Sequence, residues 1–383
     1  MSSHRLLLAV MCSALLGAPV LTEACGPASA PSQSKGFSSA QTHEFDKLVQ
    51  ASISQDQLIG AVVSIVDPHQ GVFLKSYGTA DVPAKRSMEP DDHYRIASVS
   101  KTLTATAILQ LADSGRLSLS DTLDKYVPGV PNGNIITIRE LLAMRAGVFN
   151  FIDDKPFIDS YNTDPLLPTW KPADIIPILQ RHAADFTQPD QKSVYSDSNY
   201  ILLGLVLEKV TQVAADRWIT EHVIRPLGLG STSFPTTPAM PNPFAHGYDT
   251  TFGSVRDLSL TNPNVPWTAG AIVSTVPDMS RYAKDLATGQ TLKKATQAER
   301  LQFGPFPNNG PRLQYGLGIT QIGDWLGHDG AIFGYSDMVF YLPSQDASLV
   351  VMVNKATTTG VLSINIWIAL VKYLYPNSLP RAA

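Results

Sequence analysis

Ser98 and Lys101, the ends of Ser98-Val99-Ser100-Lys101, are the residues whose types and spacing point most directly to covalent chemistry. Residues three apart lie on one face of a helix, so a lysine amine can reach the serine oxygen. Burial disfavours the ammonium, and an amine with a lowered pKa can take the serine proton, while a helix N-terminus favours negative charge developing nearby. The spacing alone is a weak signal, expected about once by chance in a chain of this size. It recurs from Ser32 to Lys35. Placement separates the two: Ser98 opens a run in which Leu103, Ala105, Ala107, Ile108, Leu109 and Leu111 predict a helix apolar on nearly every face, whereas Ser32 lies in a stretch without large apolar residues.

Two further segments carry candidate groups. Tyr195-Ser196-Asp197 leads into the apolar run Tyr200-Ile201-Leu202-Leu203-Gly204. A phenol near an ammonium ionises more readily and can shuttle a leaving-group proton. Gly327-His328-Asp329-Gly330-Ala331 falls between two β-like runs, where glycine lets a substrate backbone approach a strand and pair with it. The backbone N–H groups of Ser98 and Ala331 would then form an oxyanion hole. Taken singly, Tyr195 reads as a core or rim tyrosine and His328 as a structural histidine. Other chemistries are absent from the pattern. The eight histidines show neither His-x-His nor His-Glu-x-x-His spacing, and no metal site or cofactor is expected. There is no Gly-x-Ser-x-Gly elbow, phosphate-binding glycine loop or dinucleotide fingerprint.

The elements that must position these residues follow from periodicity. Phe45, Leu48, Val49 and Ile53 predict a helix over 44–53, followed by a β-hairpin from 60–66 and 72–77. Helices are expected at 98–114, 138–144 and 200–213, with proline-rich loops between them. A helix at 277–286, β-like runs at 315–322, 336–342 and 348–354, and a helix at 361–375 close the chain. Strands near both ends with helices between predict an α+β fold, a sheet completed by both termini with an inserted helical lobe over about residues 100–245.

The 383 residues carry a formal net charge of −4 with no block of like charge, which leaves no footprint for nucleic acid. Small-molecule or peptide acyl substrates are the expected partners. His4 and Arg5 precede the apolar run Leu6 to Leu16, and small residues follow up to Cys25, a signal-peptide layout for an exported protein. A permanent membrane helix would need about 20 apolar residues, which no later stretch supplies. Leu21-Thr22-Glu23-Ala24-Cys25-Gly26 is similar to a lipoprotein cleavage box, with its leucine four rather than three places before Cys25. Membrane attachment through a lipidated Cys25 and an ordinary signal peptide cut nearby are both compatible with it. Residues 1–25 are thus read as a signal, 26–42 as a flexible linker and 43–383 as the catalytic domain.

In this order and at these separations, the three segments resemble the serine β-lactamase-like family, which includes class C β-lactamases and D-alanyl-D-alanine carboxypeptidases. The similarity extends through Arg95 to Lys101, Ile136 to Leu142, Tyr195 to Gly204, Ala269-Gly270-Ala271, Tyr315-Gly316-Leu317-Gly318 and Gly327 to Tyr335. It implies an antiparallel sheet flanked by helices plus a mainly helical lobe, with the site in the cleft between them. By the resemblance, Ser98 is the nucleophile, Lys101 and Tyr195 share general-base and general-acid duty, and His328 takes the place of the lysine or histidine on the active-site strand. Gly330 keeps that strand accessible to substrate. Asp197 stands where the family usually has asparagine, and an ionised aspartate accepts hydrogen bonds but cannot donate to a substrate amide carbonyl. Asp197 is also expected to raise the pKa of Lys101. Met144-Arg145-Ala146-Gly147 and Pro189-Asp190 depart from the family's His-Thr-Ser-Gly and Pro-Gly. The expected activity is that of a carboxypeptidase-like peptidase or esterase in the bacterial cell envelope or secreted. A β-lactamase, or a non-catalytic protein that binds penicillin or peptidoglycan peptides, is the alternative.

Overall fold

Side chains alternate across a strand, so Ala61, Val63 and Ile65 face one side of a sheet while Val62 faces the other. Both sets are buried, and such a strand needs cover on both faces. A computed structural model of the chain describes residues 36–250, 254–305, 313–357 and 360–380. The signal segment, Cys25 and Ser32 to Lys35 lie outside the described residues.

The main sheet has nine strands: β1 (Gly60–Asp67), β2 (Gly71–Asp81), β3 (Arg86–Ser87), β4 (Gly304–Pro305), β5 (Leu313–Tyr315), β6 (Thr320–Ile322), β7 (Trp325–Ile332), β8 (Tyr335–Leu342) and β9 (Ala347–Val353). Their order is β3-β2-β1-β9-β8-β7-β6-β5-β4, with neighbours antiparallel. The N-terminal hairpin therefore joins the C-terminal strands through β1 and β9, with Val63 opposite Val351. A sheet completed by both ends of the chain is what the sequence predicts.

Among the helices are α1 (Ser39–Gln55), α2 (Ser100–Asp113), α3 (Ile138–Leu142), α4 (Lys155–Thr163), α5 (Asp197–Thr211), α6 (Val276–Thr288) and α7 (Ser363–Leu374). Helices α1 and α7 cover one sheet face, burying Phe45 and Val49 with Ile366, Trp367, Leu370 and Val371 against Met338, Phe340, Leu349 and Val351. Each fully buried side chain of this size contributes roughly 1.5–3 kcal/mol. Helix α6 lies on the other face, where Val62, Val339, Val350 and Met352 join the core of the helical lobe.

Four expectations shift in detail. Helix α1 starts at Ser39, inside the stretch expected as linker through residue 42, because Ser38 accepts from Gln41 N and the Gln41 side chain answers in a capping box. Ser98 sits on a 3-10 turn, Ala97–Val99, with the α-helix proper beginning at Ser100. Residues 315–322 form not one strand but the facing ends of β5 and β6. The Gly327 to Ala331 segment does not lie between strands: it is strand β7.

Candidate active site

The Ser98 turn is held from several directions. Tyr94 and Arg95 pair with Ser274 and Val273, Ile96 N donates to Ile272 O at 2.9 Å, and Ser100 Oγ accepts from Ile272 N at 3.1 Å. The buried Arg95 guanidinium donates to Ser259 O at 2.9 Å and to Pro238 O at 3.1 Å. Within this frame Ala97 adopts φ +47°, a left-handed conformation unusual for a residue with a Cβ, immediately before Ser98. Such strain persists only where surrounding contacts over-determine it, and it clusters at functional sites.

Lys101 projects from the first turn of α2 and is 0% exposed. Its Nζ lies 3.0 Å from Ser98 Oγ, 2.6 Å from Asp197 Oδ1 and 2.8 Å from the carbonyl oxygen of Ala269. The ring centroids of Tyr195 and Tyr200 stand 5.0 and 5.8 Å from the same nitrogen. Three contacts suit either protonation state. An ammonium donates to all three oxygens; a neutral amine donates to Asp197 and Ala269 and turns its lone pair to the Ser98 hydroxyl. Burial holds Lys101 below the ordinary lysine pKa, outweighing the opposing pull of Asp197. The expected upward pull of Asp197 and the expected downward effect of burial are both present, and burial prevails.

Asp197 is the first residue of α5, which begins three residues before the predicted start. Its backbone N–H donates to Asn150 Oδ1 at 3.0 Å, and its side chain is 20% exposed. Tyr195, half-buried, hydrogen-bonds to Ser98; burial first and then the Asp197 charge push its phenol pKa well above the usual tyrosine value. The structure therefore brings Ser98, Lys101, Tyr195 and Asp197 into one cluster.

His328 and Gly330 reach it along β7. This strand pairs with β8 over its whole inner edge, but with β6 only from Trp325 to Gly327. Beyond Gly327 no described strand occupies its other edge, which runs past Ser98. A Cβ on Gly330 would stand 2.7 Å from Ile96 O, 3.0 Å from Ala97 Cβ and 3.3 Å from Ser98 N, so only glycine allows this approach. Gly330→Ala is expected to part the strand from the Ser98 turn and lower kcat/KM about 100-fold with the fold intact, as kinetics and circular dichroism will show. His328 is only 1% exposed and does not line the cavity above Ser98. Its Nδ1 lies 2.5 Å from the Asp329 carbonyl, which can only accept, so Nδ1 carries the proton. In the neutral ring Nε2 then accepts from the Tyr315 hydroxyl at 3.0 Å, and burial, the main influence, keeps the imidazole pKa below its usual value. It is buried outside the residues that line the cavity, bonded to Tyr315 and to the backbone of its own strand.

A cavity of about 300 Å³ opens over Ser98, Asp197 and Ala331. Its walls include Phe151, α4 and the turn after β7, none of which is among the elements expected from the sequence. Asn150, the Ala269 carbonyl and these walls are absent from the motif-based reading, although Ala269 falls in a segment that carries the resemblance. The two departures from the family pattern turn out to face each other, since Arg145 forms an ion pair with Asp190 and Asp190 N donates to Arg145 O at 2.9 Å. Among the described residues, no three His, Cys, Asp or Glu side chains converge as metal ligands, and no helix is long and apolar enough to cross a membrane.

The sequence profile described as Beta-lactamase matches residues 45–372. The chain belongs to the beta-lactamase family. It is 28% identical over 323 residues to Protein flp of Staphylococcus aureus (strain MW2), covering 81% of this chain and 62% of that protein, so it spans less than two thirds of that relative's length. It is 25% identical over 307 residues to Penicillin-binding protein 4* of Bacillus subtilis (strain 168), covering 75% of this chain and 66% of that one. A solved D-stereospecific amidohydrolase from Streptomyces sp. superposes with a TM-score of 0.75 at 27% identity, covering 87% of this chain and 98% of that one. Family and architecture agree: the antiparallel sheet with flanking helices is the fold of the beta-lactamase family.

Proposed function

We propose that the protein hydrolyses esters, and amides less readily, through an acyl-enzyme on Ser98. The observation that carries this reading is the set of three oxygens around Lys101 Nζ, which serves the amine before and after it takes a proton. Ser98 Oγ attacks the substrate carbonyl carbon while its proton passes to Lys101 Nζ; the new ammonium donates to Asp197 and Ala269 without any heavy atom having to move. The N–H groups of Ser98 and Ala331, both at the cavity floor, stabilise the tetrahedral oxyanion. Its collapse breaks the bond to the leaving group, which takes a proton from the Tyr195 hydroxyl; the Lys101 ammonium, beside that ring, returns its proton to the Tyr195 phenolate and is neutral again in the acyl-enzyme. Water then attacks the acyl-enzyme by the same route in reverse. His328 keeps the floor of β7 in place and acts on the site through that strand.

Esters rank above amides because Asp197 offers no donor to an amide carbonyl and is already engaged by Lys101. The name of the Streptomyces relative supports acyl transfer from amides within this architecture, so the amide route is slower rather than closed. Intact nucleophile, lysine and tyrosine in mutual contact argue against a binding protein without turnover. The signal-like segment from His4 to Cys25 supports export to the envelope or beyond.

Asp197→Asn tests both parts of the reading. Removing the charge that holds the ammonium leaves only the weaker pull of Asp329 against burial, so the Lys101 pKa falls further. Because the neutral amine is the active form, the acidic limb of the kcat/KM profile should move to lower pH. The new amide donor should also raise amide turnover relative to ester about tenfold. An unmoved limb would exclude Lys101 as base, and equal effects on both substrates would remove the role given to Asp197.

A further inference from the structure

The cavity over Ser98 has a chemistry that Ser98, Lys101 and Tyr195 do not need. An aromatic line runs along it: the rings of Phe151 and Phe157 have centroids 5.1 Å apart, Phe157 and Tyr161 stack at 6.0 Å, and Tyr161 meets Phe333 edge-on at 4.9 Å. Helix α4 supplies Phe157 and Tyr161 from one face, four residues apart, and its N-cap Asp154 is fixed by Arg181 and His182. The wall is therefore built on a tethered helix. The described lining residues include two acids, Asp197 and Asp249, and no lysine, arginine or histidine. The nearest ammonium, that of Lys101, is fully buried with all three hydrogens directed to Ser98, Asp197 and Ala269.

We infer that this cavity is an acyl-side specificity pocket for an uncharged aromatic or branched apolar group, and that it rejects acyl groups bearing a carboxylate. The inference rests on Ser98 being the acylated residue. The acyl group is the part of the substrate that stays bonded to Ser98, and Ser98 forms part of the cavity floor, so the walls contact that part through both half-reactions. An aromatic acyl group gains burial against the ring line. A carboxylate would surrender its hydration in an apolar space where no free cation meets it and two acids stand nearby. This places the preferred substrates among neutral esters and amides, away from acyl donors recognised through a negative charge.

Three 4-nitrophenyl esters with one leaving group test this: acetate, phenylacetate and the glutarate half-ester, whose acyl group ends in a carboxylate. The wild-type protein is expected to show kcat/KM for phenylacetate about tenfold or more above acetate, and for the half-ester roughly tenfold below it. Phe333→Ala should narrow the phenylacetate-to-acetate ratio about tenfold. Ile152 lines the mouth and is 38% exposed, so Ile152→Arg adds a cation without disturbing the core and should raise the half-ester-to-acetate ratio about tenfold. A half-ester turned over as fast as acetate by wild type, or ratios indifferent to both substitutions, would overturn the pocket assignment while leaving Ser98 in place. Ser98→Ala assayed in parallel separates the failures: wild-type rates in that variant would overturn the acyl-enzyme reading, and the pocket assignment with it.

Discussion

Lys101→Met is expected to lower kcat about 10²- to 10⁴-fold, the range over which a positioned general base acts. Methionine fills much of the same volume, and the apolar surroundings of the lysine stem suit it, so the fold should survive. What is lost is the nitrogen 3.0 Å from Ser98 Oγ that takes the proton, and the hydrogen-bond donor it offers Asp197 in either protonation state. Removing one partner of this pair leaves a carboxylate 20% exposed, which can still recruit water, so the penalty should fall mainly on activity rather than on folding. Steady-state ester hydrolysis and thermal melts measured together will separate the two. An activity loss below about tenfold would shift the base role to Tyr195.

Ser98→Ala should have the larger effect, a fall in kcat of at least about 10⁴-fold, because it removes the serine hydroxyl held 3.0 Å from the Lys101 amine. Ser100 lies on the same helix but its Oγ is engaged by Ile272 N, so it offers no substitute nucleophile. Residual turnover would reflect binding and the oxyanion donors, which the substitution leaves in place. The Ser98→Ala and Lys101→Met losses should be far from additive, since the two residues act as one unit.

The sequence carries much of this arrangement in Ser98 and Lys101, because helical geometry converts a spacing of three into a contact. The sheet is legible in the paired apolar runs around Val63, Val339 and Val351, which call for cover on both faces. Strand β7 is less so. Its Gly327, Asp329 and Gly330 are poor strand formers, and the tertiary need for a strand without side-chain bulk beside Ser98 overrides their propensity. His328 shows the same limit: a motif places it in the site, but only packing reveals that it is buried, outside the cavity lining, and bonded to Tyr315. The protonation of Lys101 rests on two opposing influences that the sequence shows separately, burial in an apolar helix and the Asp197 charge, but which of them prevails is set by packing. The aromatic wall was hidden for another reason. Phe151, Phe157, Tyr161 and Phe333 come from a short turn, a nine-residue helix and a turn between two strands, and no local period connects them.

Intact-mass spectrometry of the protein treated with a fluorophosphonate or a slowly turned-over ester addresses the central claim most directly. One adduct per chain is predicted, located by peptide mapping at Ser98 and absent from Ser98→Ala. A stoichiometric adduct on another residue, or full labelling and undiminished esterolysis in Ser98→Ala, would contradict it.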